Sequence, residues 1–250
     1  MHELASHPKL LHSLCMLAAM VVAYALYRST RVELPLSSDH KRFIASAACL
    51  GALIGSKLPF LIDRDWQGMS PWSSWLTDGK TVLGGLLVGY LAVEATKWYL
   101  GIRIQTGDAF AIPLAAALCI GRIGCFFGGC CFGLPTELPW GVCFHSADGD
   151  QLNPRHPTQL YESLFHGLCL VFLVAIKTKP TESNQVTDKF FASIRGHHLK
   201  LYLLSYLVYR FMTEWIRPEP IFAWHMTAYQ IACIFFALLL GLQWRFLRSP

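Results

Sequence analysis

Residues 109–132 read AFAIPLAAALCIGRIGCFFGGCCF, and the only charge among them is Arg122. A helix needs about 20 apolar residues to cross a hydrocarbon core of about 30 Å, so this run is long enough to span a membrane. A charged side chain near the bilayer centre costs about 2.5–3.5 kcal/mol on insertion scales, and a helix keeps one only where it meets a partner or a polar cavity. Ala109 to Ile120 supplies no carboxylate, so the partner of Arg122 must come from another segment.

Working outward, the same kind of run recurs along the chain. Of 250 residues, 54% are hydrophobic and 15% charged, and the mean hydropathy is +0.39. Soluble domains carry about 25% charged residues. Apolar runs at 10–27, 43–62, 82–100, 109–132, 160–176, 199–215 and 226–247 predict an all-α polytopic membrane protein of seven transmembrane helices. No repeat, low-complexity tract or soluble domain interrupts them, so 1–250 is expected to be one integral membrane domain with a flexible cytoplasmic loop at about 177–198. Trp66, Trp72 and Trp75 mark 63–80 as an interfacial segment, and the Pro-, Gly- and His-rich 133–158 as a shaped outer loop.

Lysine and arginine set the orientation. With the N-terminus outside, five of the 21 (Lys9, Arg64, Lys80, Arg155 and Arg217) fall outside and three (Lys57, Arg122 and Arg210) lie in or at the ends of spans. The rest fall inside, which predicts an outer N-terminus and a cytoplasmic C-terminus. Ala23-Tyr24-Ala25 resembles a cleavage site, but Arg28 and Arg31 follow at once, as expected of a retained helix. The net charge of +5 therefore follows topology. No basic stripe interleaved with aromatics suggests nucleic acid, and the electrostatic partner is anionic membrane lipid.

The charges inside the spans gather towards the outer half. Glu162 and His166 share a helix face, and Arg210, Glu214 and Arg217 fall on one side of the sixth run and its end. Arg210 and Glu214 at i, i+4 make either an intrahelical ion pair or part of an anion site. Arg122 and Arg217 add positive charge that this pair does not explain, and a guanidinium matches two phosphate oxygens. Gly121, Gly124, Gly128, Gly129 and Gly133 either allow close helix contact or let backbone N–H groups approach a ligand, whereas Gly84, Gly85 and Gly89 suit helix packing. Arg155-His156-Pro157 opens the fifth helix, whose N-terminus favours an anion. The charges predict a site for a lipid phosphate.

Nine cysteines contain no C-x-x-C pair, and neither metal nor cofactor is expected. Cys15, Cys49, Cys119, Cys169 and Cys233 lie in apolar runs as small buried side chains. Cys125, Cys130, Cys131 and Cys143 are open to three readings: a disulfide, buried free thiols, or a catalytic thiol.

Four segments carry a resemblance: LGGLLVGY at 83–90, GRIGCFFGGCCFGLPTELPWGV at 121–142, RHPTQLYES at 155–163 and YRFMTEWIRPEP at 209–220. In order and spacing they resemble the signature segments of the prolipoprotein diacylglyceryl transferases. The resemblance implies a bacterial inner-membrane enzyme that moves the diacylglyceryl group of phosphatidylglycerol to the lipobox cysteine thiol of a prolipoprotein signal peptide, releasing glycerol phosphate. By position, Arg122, Gly133, Arg210, Glu214 and Arg217 match the family's functional arginines and their neighbours, and Gln159, Tyr161 and Glu162 match its third motif. Leu83 stands where the family has a histidine, Cys125 where it has asparagine, and Cys130 where it has an acid.

From these residues Arg122 and Arg210 are expected to neutralise the leaving phosphate. Gly133, Arg155, Gln159, Tyr161, Glu162, Glu214, Arg217, Cys125 and Cys130 are expected around the substrates. A thiol of pKa about 8.5 needs a base, for which His156, His145 and Glu162 are candidates, or a positive field that lowers its pKa; among the histidines His156 is the choice. His197, His198 and His225 are expected in solvated loops. The alternatives are a family-fold transferase with another acceptor and a non-catalytic lipid-binding or lipid-translocating protein.

Overall fold

The computed structural model describes residues 8–30, 35–62, 81–144, 153–178 and 196–246. Among them seven α-helices follow in order: α1 (Pro8–Thr30), α2 (Ser38–Ile62), α3 (Val82–Tyr99), α4 (Asp108–Phe127), α5 (Thr158–Thr178), α6 (His198–Thr213) and α7 (Ala228–Phe246). Each falls on one of the seven apolar runs. By length and composition α1, α4 and α5 can each cross a membrane, and α7 holds a shorter apolar stretch. The interfacial segment at 63–80, most of the inner loop and His145 lie outside the described residues.

Two details differ from the sequence expectation. Helix α4 stops at Phe127 instead of 132, because Gly129 enters the left-handed region at φ 63° and turns the chain away. The seventh run was expected to begin at Met226, yet Met226–Thr227 forms β2, paired antiparallel with β1 (Ile221–Ala223). Trp224 and His225 connect them with φ of 49° and 59°, as a two-residue primed turn requires.

The chain forms two compact units, Met1–Val32 with Thr106–Pro250, and Glu33–Gln105. In the smaller unit α2 packs on α3 through bare backbone. A Cβ on Gly55 would meet the Gly84 carbonyl, and one on Gly84 would meet that of Gly55, so these glycines serve packing. Leu83 is buried in this unit.

In the larger unit α4 packs against α1 and α5, and α6 against α7. The glycines of α4 face α1: a Cβ on Gly124 would lie 2.9 Å from Cys15 Cβ, and His12 Nδ1 is 2.9 Å from the Gly124 carbonyl. Ala111, Ile112 and Ala115 of α4 form an apolar core with Leu173 and Tyr202.

The distribution of polarity is that of a protein in lipid. On α5, Leu164, Leu168 and Val171 are 65%, 63% and 68% exposed, while Glu162 and His166 are fully buried. These two sets fall on opposite faces at helical spacing. The charged face is turned inward and the apolar face outward, as a multi-pass membrane protein requires. The cysteines of the apolar runs follow packing less closely than expected: Cys233 is buried, but Cys49 is exposed.

Candidate active site

Glu162 is the centre of the buried charge. Arg122 of α4 lies 2.8 Å from its Oε1 and Arg217, just after the 3-10 turn Glu214–Ile216, lies 2.6 Å from its Oε2. Tyr206 of α6 donates its hydroxyl to Oε1 at 2.8 Å. His166 Nε2 lies 3.7 Å from the same oxygen, and its Nδ1 is 2.8 Å from the Tyr202 hydroxyl. The carboxylate that Arg122 lacked in its own helix thus comes from α5, and all of these side chains are buried. The carboxylate is engaged by two guanidinium groups and a phenol, with Arg122 and Tyr206 on Oε1 and Arg217 on Oε2.

A second pair adjoins the first. Arg210 Nη1 is 2.6 Å from Glu214 Oε2, an i, i+4 ion pair that joins the end of α6 to the 3-10 turn after it, and the guanidinium stands 5.0 Å over the Tyr229 ring. Thr227 donates to Glu214 Oε1 at 2.8 Å. Thr227 and Gln230 also cap α7 reciprocally: the Thr227 N–H donates to Gln230 Oε1 at 3.0 Å and the Gln230 N–H to Thr227 Oγ1 at 3.2 Å. The helix cap and the ion pair share one hydroxyl.

The two clusters bring together three guanidinium groups and the carboxylates of Glu162 and Glu214, and Glu219 acts electrostatically on Arg210 from nearby. Among the described residues, Nε of Arg122 and Nε of Arg217 are buried without a hydrogen-bond partner. Buried donors without partners are costly, and an anion bound there would satisfy them.

The loop after α4 is tied to the start of α5. The Gly133 N–H donates to the His156 carbonyl at 2.9 Å, and the Arg155 guanidinium donates back to the Gly133 carbonyl at 3.2 Å while stacking 5.1 Å over Phe132. A Cβ on Gly133 would stand 2.5 Å from the Ile216 carbonyl and 2.8 Å from His156 Cβ. Gln159 donates to the Cys130 carbonyl at 2.5 Å and Thr158 to that of Cys131 at 2.6 Å. Trp140 Nε1 donates to the Tyr161 hydroxyl at 2.8 Å, and His156 Nδ1 is 3.4 Å from that oxygen.

The profile of the family described as prolipoprotein diacylglyceryl transferase matches residues 7–245. This chain belongs to that family. A phosphatidylglycerol–prolipoprotein diacylglyceryl transferase of Clostridium tetani is 31% identical over 192 residues, covering 74% of this chain and 71% of its own. The protein of the same name from Methylococcus capsulatus is 30% identical over 198 residues, 75% of this chain and 70% of its own. That of Coxiella burnetii is 30% identical over 213 residues, 81% and 74%.

In this prolipoprotein diacylglyceryl transferase family member, the fold brings Arg122, Glu162 and Arg217 into one cluster and Arg210 with Glu214 into its neighbour. Gly133, Arg155, His156 and Tyr161 lie in the loop after α4 and at its junction with α5, where Arg155 donates to the Gly133 carbonyl. Cys125, Cys130, Cys131 and Cys143 are free thiols, and the last three are exposed rather than buried. His198 is not simply solvated: its Nδ1 pairs with Asp108 Oδ2 at 3.0 Å. His225 is exposed in the β1–β2 turn.

The sequence reading missed Tyr202 and Tyr206, although the signal was present. Residues 202, 206, 210 and 214 follow at steps of four, a single helical stripe of Tyr, Tyr, Arg and Glu. Thr227 and Gln230 carry the T-x-x-Q capping signature, but nothing in the sequence connects it to Glu214.

Proposed function

We propose that this chain transfers the diacylglyceryl group of phosphatidylglycerol to the lipobox cysteine thiol of a prolipoprotein and releases glycerol phosphate. The reading places all seven helices across the bacterial inner membrane with the N-terminus outside. The observation that carries it is the convergence of Arg122, Arg210 and Arg217, with the Nε–H groups of Arg122 and Arg217 buried and without a hydrogen-bond partner among the described residues.

The phosphodiester of phosphatidylglycerol carries one negative charge and offers oxygen acceptors to the Nε–H groups of Arg122 and Arg217. The thiol sulfur bonds to the glyceryl carbon, the carbon–oxygen bond breaks, and its electron pair stays on the phosphate oxygen. The departing phosphate gains negative charge as it leaves. Arg122, Arg210 and Arg217 therefore interact more strongly with the transition state than with the bound lipid, the condition for lowering the barrier. Glu162 and Glu214 hold the guanidinium forks in place, so little reorganisation is needed when charge develops.

The thiol proton goes to His156. In the tautomer with its proton on Nδ1, donated to the Tyr161 oxygen, Nε2 is free to accept; Trp140 donates to the same oxygen and fixes Tyr161. Gly133, Arg155 and Gln159 shape the loop beside this histidine, and Cys125 and Cys130 stand on either side of the turn that ends α4.

The test is direct. The purified chain in phosphatidylglycerol vesicles is given a lipobox peptide, and peptide mass and free glycerol phosphate are measured. The reading expects one diacylglyceryl mass increment per glycerol phosphate released. Folded protein that produces neither contradicts it.

A further inference from the structure

The three thiols at the end of α4 converge without any C-x-x-C spacing to announce them. The sulfurs of Cys125, Cys130 and Cys131 all lie within 4.8 Å of one another, and none is in a disulfide. Cys125 occupies the last turn of α4, and Gly129 then reverses the chain. Cys131 itself sits at φ 63°, a left-handed conformation that costs a non-glycine residue on the order of 1–3 kcal/mol. The strain is held by hydrogen bonds to the main chain, from Gln159 to the Cys130 carbonyl and from Thr158 to the Cys131 carbonyl. Gln159 and Thr158 fix the backbone of the turn and leave the sulfurs facing one another.

Zinc binds thiolate at about 2.3 Å, which puts tetrahedrally arranged sulfurs just under about 4 Å apart. The three sulfurs, within 4.8 Å of one another, stand close to that spacing. Three protein ligands with a fourth position open is the arrangement of catalytic zinc, whereas structural sites fill all four. Three thiolates and one divalent ion total one negative charge, and Arg122, a helical turn before Cys125, lies within electrostatic range of Cys125 and Cys131.

We propose that Cys125, Cys130 and Cys131 bind one thiophilic divalent cation of the zinc class, and that its fourth position receives the acceptor thiol. The second clause rests on the transferase reading above. Binding releases three protons from the three cysteines to solvent. The acceptor thiol coordinates as thiolate, its proton passing to His156, and then forms the carbon–sulfur bond as the glyceryl carbon–oxygen bond breaks; no atom changes oxidation state. A metal-bound thiol is deprotonated outright, which supplies the nucleophile the reaction needs.

The experiment uses the full chain, purified reduced in lipid nanodiscs, with cobalt(II) as probe. The expected result is one equivalent bound, with sulfur-to-cobalt charge transfer and the intense visible bands of a tetrahedral site. Cys130→Ser and Cys131→Ser each lower affinity at least about 100-fold, the upper end of the loss caused by removing an outer hydrogen-bond partner. Cys143→Ser, outside the cluster, leaves it unchanged. A lipobox peptide shifts the visible bands and its cysteine-to-serine version does not. Absence of stoichiometric binding by folded, reduced protein, or a disulfide within the trio in protein taken from the membrane, overturns the site. Cobalt binding indifferent to the peptide, or full transfer after chelation, overturns the acceptor role while leaving the transferase reading standing. No transfer by the metal-loaded protein overturns that reading and leaves the metal site intact.

Discussion

Arg122 Nη2 and Glu162 Oε1 lie 2.8 Å apart, joining α4 to α5 inside the larger unit. The same carboxylate binds Arg217 through its other oxygen at 2.6 Å. One buried acid therefore ties together the middle of the bundle and the chain after α6. Removing one member of a buried ion pair costs about 3–5 kcal/mol, because the partner's charge is left uncompensated. Glu162→Gln is expected to lower thermal stability clearly in the same detergent or lipid. Thermal unfolding followed by fluorescence checks this, and an unchanged midpoint would remove Glu162 from the centre of the account.

Gly133 is fixed by space. A methyl group there would stand 2.5 Å from the Ile216 carbonyl and 2.9 Å from Thr158 Cγ2, both in well-packed surroundings. Overpacking of this kind costs about 1–3 kcal/mol. Gly133→Ala is expected to destabilise by that amount and to displace the loop from α5, seen as faster backbone hydrogen exchange at Gly133, Leu134 and His156.

Thr227 serves the α7 cap and Glu214 with one hydroxyl. Thr227→Val keeps the shape and loses both bonds. Loss of an N-cap costs about 0.5–2 kcal/mol, and the freed Glu214 oxygen adds to it. Thr227→Ser is expected to retain most of the stability, so comparing the two variants by thermal unfolding separates the hydroxyl from the packing.

His156→Ala removes the proposed proton acceptor. General-base catalysis contributes about 10²–10⁴-fold, and kcat is expected to fall within that range with the fold preserved. Transfer kinetics with saturating peptide measure it, and a kcat within a factor of about two of the parent would place the base elsewhere.

The seven helices were legible because membrane-length apolar runs leave little choice of structure. The ends were less so. Gly129 stops α4 through a backbone angle, and the β1–β2 turn places Trp224 and His225 at positive φ without the glycine or asparagine that marks such a turn in sequence. The charged residues were also legible, since Arg122, Glu162, Arg210 and Arg217 are conspicuous in apolar surroundings. Their pairing was not: Arg122 to Glu162 and Glu162 to Arg217 depend on helix packing, which no local spacing encodes. The thiol trio was hidden for a similar reason, because Cys125 meets Cys130 and Cys131 only through the left-handed turn between them.

The central claim is that Arg122, within its cluster, meets the phosphate charge as it leaves. The most direct measurement is diacylglyceryl transfer by Arg122→Ala, verified as folded, with and without added methylguanidinium. The account predicts a fall of at least about 100-fold, or roughly 2.7 kcal/mol of lost transition-state stabilisation, with part of the rate restored by the free guanidinium ion. Transfer at the parent rate in the variant would contradict it.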